Sequence, residues 1–142
     1  MKLSPPDAYI QDTKTAKGRG VFAARAYISG DVVEVCPVIV LRTPSWLLPK
    51  EIKTYVFDWA TLAHVPKTEA LALGYGGMYN HDNPANMRYE ADSQSSCLRF
   101  IAVRDINEGE ELTVNYNACG GGAEWDNDNW FDRTKVKPIV GK

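Results

Sequence analysis

The chain has 142 residues, 44% hydrophobic and 24% charged, which supports one globular domain with its own core and leaves little room for a second. Sixteen Lys and Arg against eighteen Asp and Glu give a formal charge of -2, so no overall basic field drives binding to phosphate backbones, and no apolar run approaches the roughly 20 residues of a membrane span. The N-terminal MKLSPPDAYIQD puts prolines and charges where a secretory leader needs an apolar core, and Cys36, Cys97 and Cys119 form no Cys-x-x-Cys pair; a cytoplasmic, reducing setting without disulfides or structural zinc is expected.

In chain order, residues 20–24 and 32–41 are rich in β-branched side chains and flank the turn signal Ser29-Gly30-Asp31, which predicts two short strands or bent hairpins. Pro37 interrupts the second, which suggests an edge or a bulge there. Pro49 suits a first helical position, and Ile52, Tyr55 or Val56, and Trp59 recur at helical spacing, so one short amphipathic helix with an aromatic inner face is expected. A polar knot follows over residues 78–86, dense in turn-forming residues between apolar flanks.

Residues 87–90 and 97–103 read as an antiparallel pair closed by a polar tip at 92–96. A second turn at 107–110 leads into a strand over 111–115, and three glycines at 120–122 form a hinge to an acidic, Trp-rich tail. The pattern is mostly β with short α insertions, not a βαβ dinucleotide fold: Gly18-x-Gly20 lacks the third glycine and the following helix.

Three segments carry chemistry. Lys17-Gly18-Arg19-Gly20 is either a turn entering a strand or a place where a ligand approaches bare backbone. Asn80-His81 with Asn83-Pro84 and Asn86 is either a self-satisfied Asx cluster or a knot whose polar groups meet a ligand. Glu110 to Tyr116 is either an edge strand or the carrier of a phenol that orients a reacting amine.

Their order in one chain resembles the SET-domain protein lysine methyltransferases: a Gly-x-Gly in KGRGVFA, then Tyr79-Asn80-His81 with Pro84, then Arg104-Asp105-Ile106 through Tyr116. The resemblance implies small β-sheets around a C-terminal pseudo-knot, with 1–142 as a single SET domain, its core at about 17–117 and a tail from 118 to 142. It implies S-adenosylmethionine held against Lys17, Gly18, Arg19, Gly20, Asn80 and His81, with the Asn80 amide oxygen on the cofactor's amino-acid end. It implies Tyr116 as the catalytic phenol, orienting rather than deprotonating, since a phenol with pKa near 10 is a poor base at pH 7. The lysine channel, expected to be aromatic because aromatic faces attract alkylammonium groups, draws on Tyr55, Tyr75, Tyr79, Phe100 and, from beyond the hinge, Trp125, with Trp130 as a further lid candidate.

Two departures stand out: Asp82 follows Asn-His where many members carry Ser or Cys, and the cysteine-rich zinc segment that often follows the domain is absent. The expected substrate is a lysine on a basic protein such as a histone tail, which the acidic residues Glu124, Asp126, Asp128 and Asp132 would attract. Nucleic acid and membrane are not expected partners, a homodimer through exposed aromatics is open, and the alternative function is a non-catalytic peptide-binding module on the same fold.

Overall fold

The computed structural model describes residues 2–122 and 130–131. Its elements in chain order are β1 (Ala8–Asp12), β2 (Arg19–Ala23), β3 (Val32–Leu41), a 3-10 turn (Ser45–Leu47), α1 (Lys50–Lys53), β4 (Val56–Phe57), α2 (Trp59–Ala63), β5 (Glu69–Ala72), β6 (Asn80–His81), β7 (Met87–Asp92), β8 (Cys97–Ala102) and β9 (Glu111–Val114). They form a four-stranded sheet in the order β1-β2-β9-β6 and a five-stranded sheet in the order β4-β5-β3-β8-β7. The mostly β architecture with short α insertions is therefore as expected. No helix among the described residues is long and apolar enough to cross a membrane.

The β1-β2 hairpin closes through Thr13, whose N–H and hydroxyl both donate to the Gly18 carbonyl at 2.8 and 2.7 Å. Gly18 reaches φ +75°, a conformation that favours glycine, so the first glycine of the Gly-x-Gly pair is a turn requirement. β1 itself was not expected from sequence, because its side chains are mostly exposed and offer no apolar alternation.

Pro37 does not mark an edge or a bulge. β3 is central, pairing with β8 from Val32↔Ile101 to Pro37↔Cys97 and with β5 from Val38↔Ala72 to Leu41↔Glu69. Pro37 thus sits where the strand passes from one partner to the other, which is where a missing N–H disturbs neither ladder. The bulge lies earlier, between Val32 and Glu34, and leaves Val33, Glu34, Val35 and Cys36 all buried.

The single helix expected from Pro49 is two helices with a strand between them. α1 ends at Thr54, Val56 and Phe57 pair with β5, and Asp58 caps α2 by accepting from the Thr61 N–H at 3.2 Å. The helical spacing of Ile52, Val56 and Trp59 was coincidental: the run from Thr54 to Phe57 favours extended backbone, and a capping Asp restarts the helix.

β9 lies inside the small sheet, antiparallel to β2 and parallel to β6. The segment after β6 wraps over it: the Asn86 amide donates to the Glu111 carbonyl at 2.8 Å and accepts from the Thr113 N–H at 2.9 Å, while the Asp82 N–H donates to the Val114 carbonyl at 3.2 Å. The chain beyond β9 turns back so that the Tyr89 N–H donates to Gly120 at 2.6 Å. This crossing is the knot that ties residues 80–86 to the C-terminal strand. Among the described residues Trp59, Tyr27, Tyr79, Phe100, Met87 and Leu98 are the largest fully buried side chains.

Candidate functional site

A narrow cavity of about 50 Å³ opens between β4, the 76–79 segment and the end of β9. Its aromatic wall is Tyr55, Phe57, Tyr79, Tyr89, Tyr116 and Trp130. Tyr116 is placed by what precedes it: β9 runs in register with β6, so the Tyr116 N–H reaches His81 and donates to Nδ1 at 3.0 Å. Its hydroxyl donates to the Tyr79 carbonyl at 2.5 Å. The Trp130 ring stands edge-on at 4.7 Å, and Phe131 packs on His81 at 4.8 Å.

Burial, reinforced by Tyr55 and Glu111, pushes the Tyr116 phenol well above its usual value of 10, so it is a neutral donor across the physiological range. Asp58 also lines the cavity, yet its two oxygens are committed to the Thr61 N–H and hydroxyl, the latter at 2.7 Å. The cavity is therefore an apolar, aromatic slot with a fixed pair of oxygens, those of Tyr116 and Tyr79, at one end.

The residues expected to hold a cofactor cluster around β2 and β6. The Asn80 amide NH2 donates to the Arg19 carbonyl at 2.9 Å and to Glu111 Oε2 at 2.7 Å, which joins the Gly-x-Gly and Asn-His segments and turns the amide oxygen away from both. Gly20 is buried under that carboxylate: a Cβ there would lie 2.5 Å from Glu111 Oε2. Gly18 faces open space and Arg19 is exposed. Lys17 lines a larger hollow of about 430 Å³ with Thr13, Thr15, Phe22, Arg104 and Glu111. Gly18, Arg19, Gly20, Asn80 and His81 are not in its wall; Gly20 and Asn80 meet Glu111, which is.

Of the expected channel residues, Tyr55 and Tyr79 line the slot, as does the lid candidate Trp130, but Tyr75 and Phe100 do not. Phe100 is fully buried behind the wall, packing its ring on Tyr79 at 4.8 Å and on Tyr89 at 5.7 Å. An inward position on β8, a strand central to its sheet, makes it core rather than channel. Tyr75 contributes its backbone N–H, which donates to Glu34 at 2.9 Å. Trp125 and the acidic residues Glu124, Asp126, Asp128 and Asp132 lie outside the described residues.

Sequence reasoning missed Glu34, Asn86 as a bridge, and Glu111. The available signal for Glu34 was a lone carboxylate inside the apolar run VVEVCPVIVL. It accepts from the Tyr79 hydroxyl at 2.7 Å as well as from Tyr75, and burial raises its pKa against the lowering effect of those two bonds.

Comparison with known proteins bears on this arrangement. The family model of the SET domain matches residues 18–117. A relative from Schizosaccharomyces pombe, "Histone-lysine N-methyltransferase, H3 lysine-37 specific", is 27% identical over 132 residues, covering 91% of this chain and 83% of its own length. "Histone-lysine N-methyltransferase SET9" of Phaeosphaeria nodorum is 42% identical over 50 residues, which are 35% of this chain and 7% of that protein. Among solved structures, a candidate histone methyltransferase of Plasmodium falciparum superposes with a TM-score of 0.63 at 20% identity, covering 80% of this chain and 94% of that one. A chain of an active polycomb repressive complex 2 in the basal state gives 0.65 at 20% identity, over 84% of this chain and 17% of that one. At such identities the solved structures speak for the fold alone, whereas the family match spans most of the sequence. The chain belongs to the SET-domain family of protein-lysine methyltransferases.

Proposed function

We propose that this chain binds S-adenosylmethionine, the methyl donor its family uses, through Lys17–Gly20 and Asn80–His81, and transfers methyl to a lysine of histone H3 with Tyr116 as the catalytic residue. The observation that carries the reading is the Tyr116 hydroxyl held 2.5 Å from the Tyr79 carbonyl at the end of an aromatic slot. The slot's size supports the assignment of sides. A small slot walled by aromatic rings suits an alkyl chain better than a nucleoside, which favours the lysine side chain within it and the cofactor outside.

The residues fit the cofactor's chemistry. With its NH2 on Arg19 and Glu111, Asn80 offers an amide oxygen to an ammonium group, and Lys17 offers an ammonium to a carboxylate. β6 is the edge of its sheet, where backbone groups of the Asn80–His81 step can read an adenine. When bound, S-adenosylmethionine supplies an electrophilic methyl group and a sulfonium charge.

The protein's part is orientation and dryness. A lysine of pKa about 10.4 must be neutral to attack, which at pH 7 costs about 4.6 kcal/mol. Neither Tyr116 nor Asp58 in the wall of the slot is poised as a base: Tyr116 is a donor, and Asp58 is occupied by its helix cap. The apolar wall disfavours the charged amine and so lowers that cost directly. Aromatic faces of Tyr55, Phe57 and Tyr89 keep the alkyl chain aligned, and holding the amine on line is worth several kcal/mol of the barrier. With the methyl donor bound at that end of the slot, the two fixed oxygens would face the partial positive charge carried during transfer, a preorganised arrangement that costs no rearrangement as charge moves.

The test is transfer of a labelled methyl group to recombinant histone H3 and to a panel of other basic proteins, run beside Tyr116→Phe. Transfer to H3 is expected, with kcat about 10²-fold lower in the variant, the size typical of removing one preorganised hydroxyl. Cofactor binding without transfer to any protein would instead make the chain a docking module, and undiminished transfer by Tyr116→Phe would remove the catalytic assignment.

A further inference from the structure

Among the described residues Glu34 is the one charged side chain buried in the core. The bulge between Val32 and Glu34 turns it inward, opposite Phe100 and toward the 74–79 segment; re-aiming a side chain is what bulges do. Its oxygens divide their work. Oε2 accepts the Tyr75 N–H at 2.9 Å, and Oε1 accepts the Tyr79 hydroxyl at 2.7 Å. No Lys, Arg or His stands as an ion partner for it among the described residues, so the carboxylate is held in the core by those two donors.

A buried carboxylate of this kind is a poor source of stability, because apolar side chains of similar volume usually pack there at no loss. What it supplies here is geometry. The segment it holds is Tyr75-Gly76-Gly77-Met78-Tyr79, and both glycines line the slot. Two adjacent glycines leave that backbone with many alternatives, and Glu34 removes them by gripping the segment at each end. Gly74, just before it, has no room for a side chain, since a Cβ would come within 2.7 Å of Glu34 Oε2. Tyr79 is then fixed at three points: its ring on Phe100, its hydroxyl on Glu34, and its carbonyl under the Tyr116 hydroxyl.

We propose that Glu34 is a positioning residue for methyl transfer, acting through Tyr79 to fix the carbonyl that orients the Tyr116 hydroxyl. The proposal rests on the methyltransferase reading above and adds to it a residue two hydrogen bonds away from the reacting group. A displacement of about 1 Å at a reacting site costs on the order of 10²-fold in rate, so partial loosening of this grip is visible in kcat.

The experiment measures kcat and KM for histone H3, the S-adenosylmethionine dissociation constant and the melting temperature of wild type, Tyr116→Phe, Glu34→Gln, Tyr79→Phe and the Glu34→Gln/Tyr79→Phe double variant. Tyr79→Phe keeps the ring and deletes only the hydroxyl. Expected are folded Glu34→Gln and Tyr79→Phe variants whose kcat falls about tenfold, less than in Tyr116→Phe, with KM and cofactor affinity within about twofold of wild type, and a double variant no worse than either of those two alone, because both remove the same contact. Wild-type kcat in folded variants, a loss confined to KM, or losses that multiply in the double variant would overturn the proposal while leaving the function intact. Should Glu34→Gln fail to fold, Tyr79→Phe decides alone by the same criteria. A wild type that binds cofactor and methylates nothing defeats the function, and the positioning role with it.

Discussion

Gly20 illustrates how a single position ties two motifs together. Its missing side chain is what lets Glu111 lie over β2 and accept the Asn80 amide. Gly20→Ala drives a methyl group into that carboxylate and into Thr13, 2.9 Å away, and so displaces the acceptor that orients Asn80. Isothermal titration should show S-adenosylmethionine binding weakened about tenfold, or roughly 1.4 kcal/mol, with the protein still folded. Tyr116, Asn80, His81 and the glycines were singled out from the sequence because their three segments, each ambiguous alone, stand in one chain in the order that the family resemblance requires. Glu34 was not. A strand read with period 2 gives no face to a residue displaced by a bulge, and the tyrosines that hold it lie more than forty residues away.

At the scale of elements, sequence reading succeeded where pairing is local. The β7-β8 hairpin runs from Met87↔Ala102 to Asp92↔Cys97, close to its predicted bounds, because a polar tip between two alternating runs has one sensible arrangement. It failed between Pro49 and Ala63, where β4 exists only because β5 is there to pair with it. The crossing of residues 82–86 over β9 was likewise invisible in the residues themselves and came only with the family resemblance. It has a measurable weight. Asn86→Ala would orphan the Thr113 N–H and remove the donor to the Glu111 carbonyl, both inside the knot. Urea denaturation should report a loss of about 2–3 kcal/mol, well beyond the roughly 1 kcal/mol of an average hydrogen bond, because buried groups are left without partners.

At the scale of the whole molecule, the two sheets divide the labour. The small sheet carries the cofactor candidates on β2 and β6, and the large one carries the slot's outer wall on β4. The C-terminal strand joins them, since β9 completes the small sheet and delivers Tyr116 to the slot one residue after Asn115. The composition, with its formal charge of -2, located none of this and placed no single functional group.

The position of Pro37 gives this architecture a seam. β3 changes partner there, pairing with β8 up to Pro37 and with β5 from Val38, so its two ladders share no residue pair. The β4-β5 wing, joined to β3 from Val38 to Leu41, can therefore exchange its amide protons without waiting for the β3-β8-β7 block to open. Native-state hydrogen exchange should resolve two groups of amides, those of Val56, Phe57, Ala70 and Leu71 exchanging together and faster than those of Leu98, Phe100 and Ile101. Because Val56 and Phe57 line the slot, each such opening would be a breathing of the slot's wall on the β4 side, opposite the Tyr116–Tyr79 hydrogen bond.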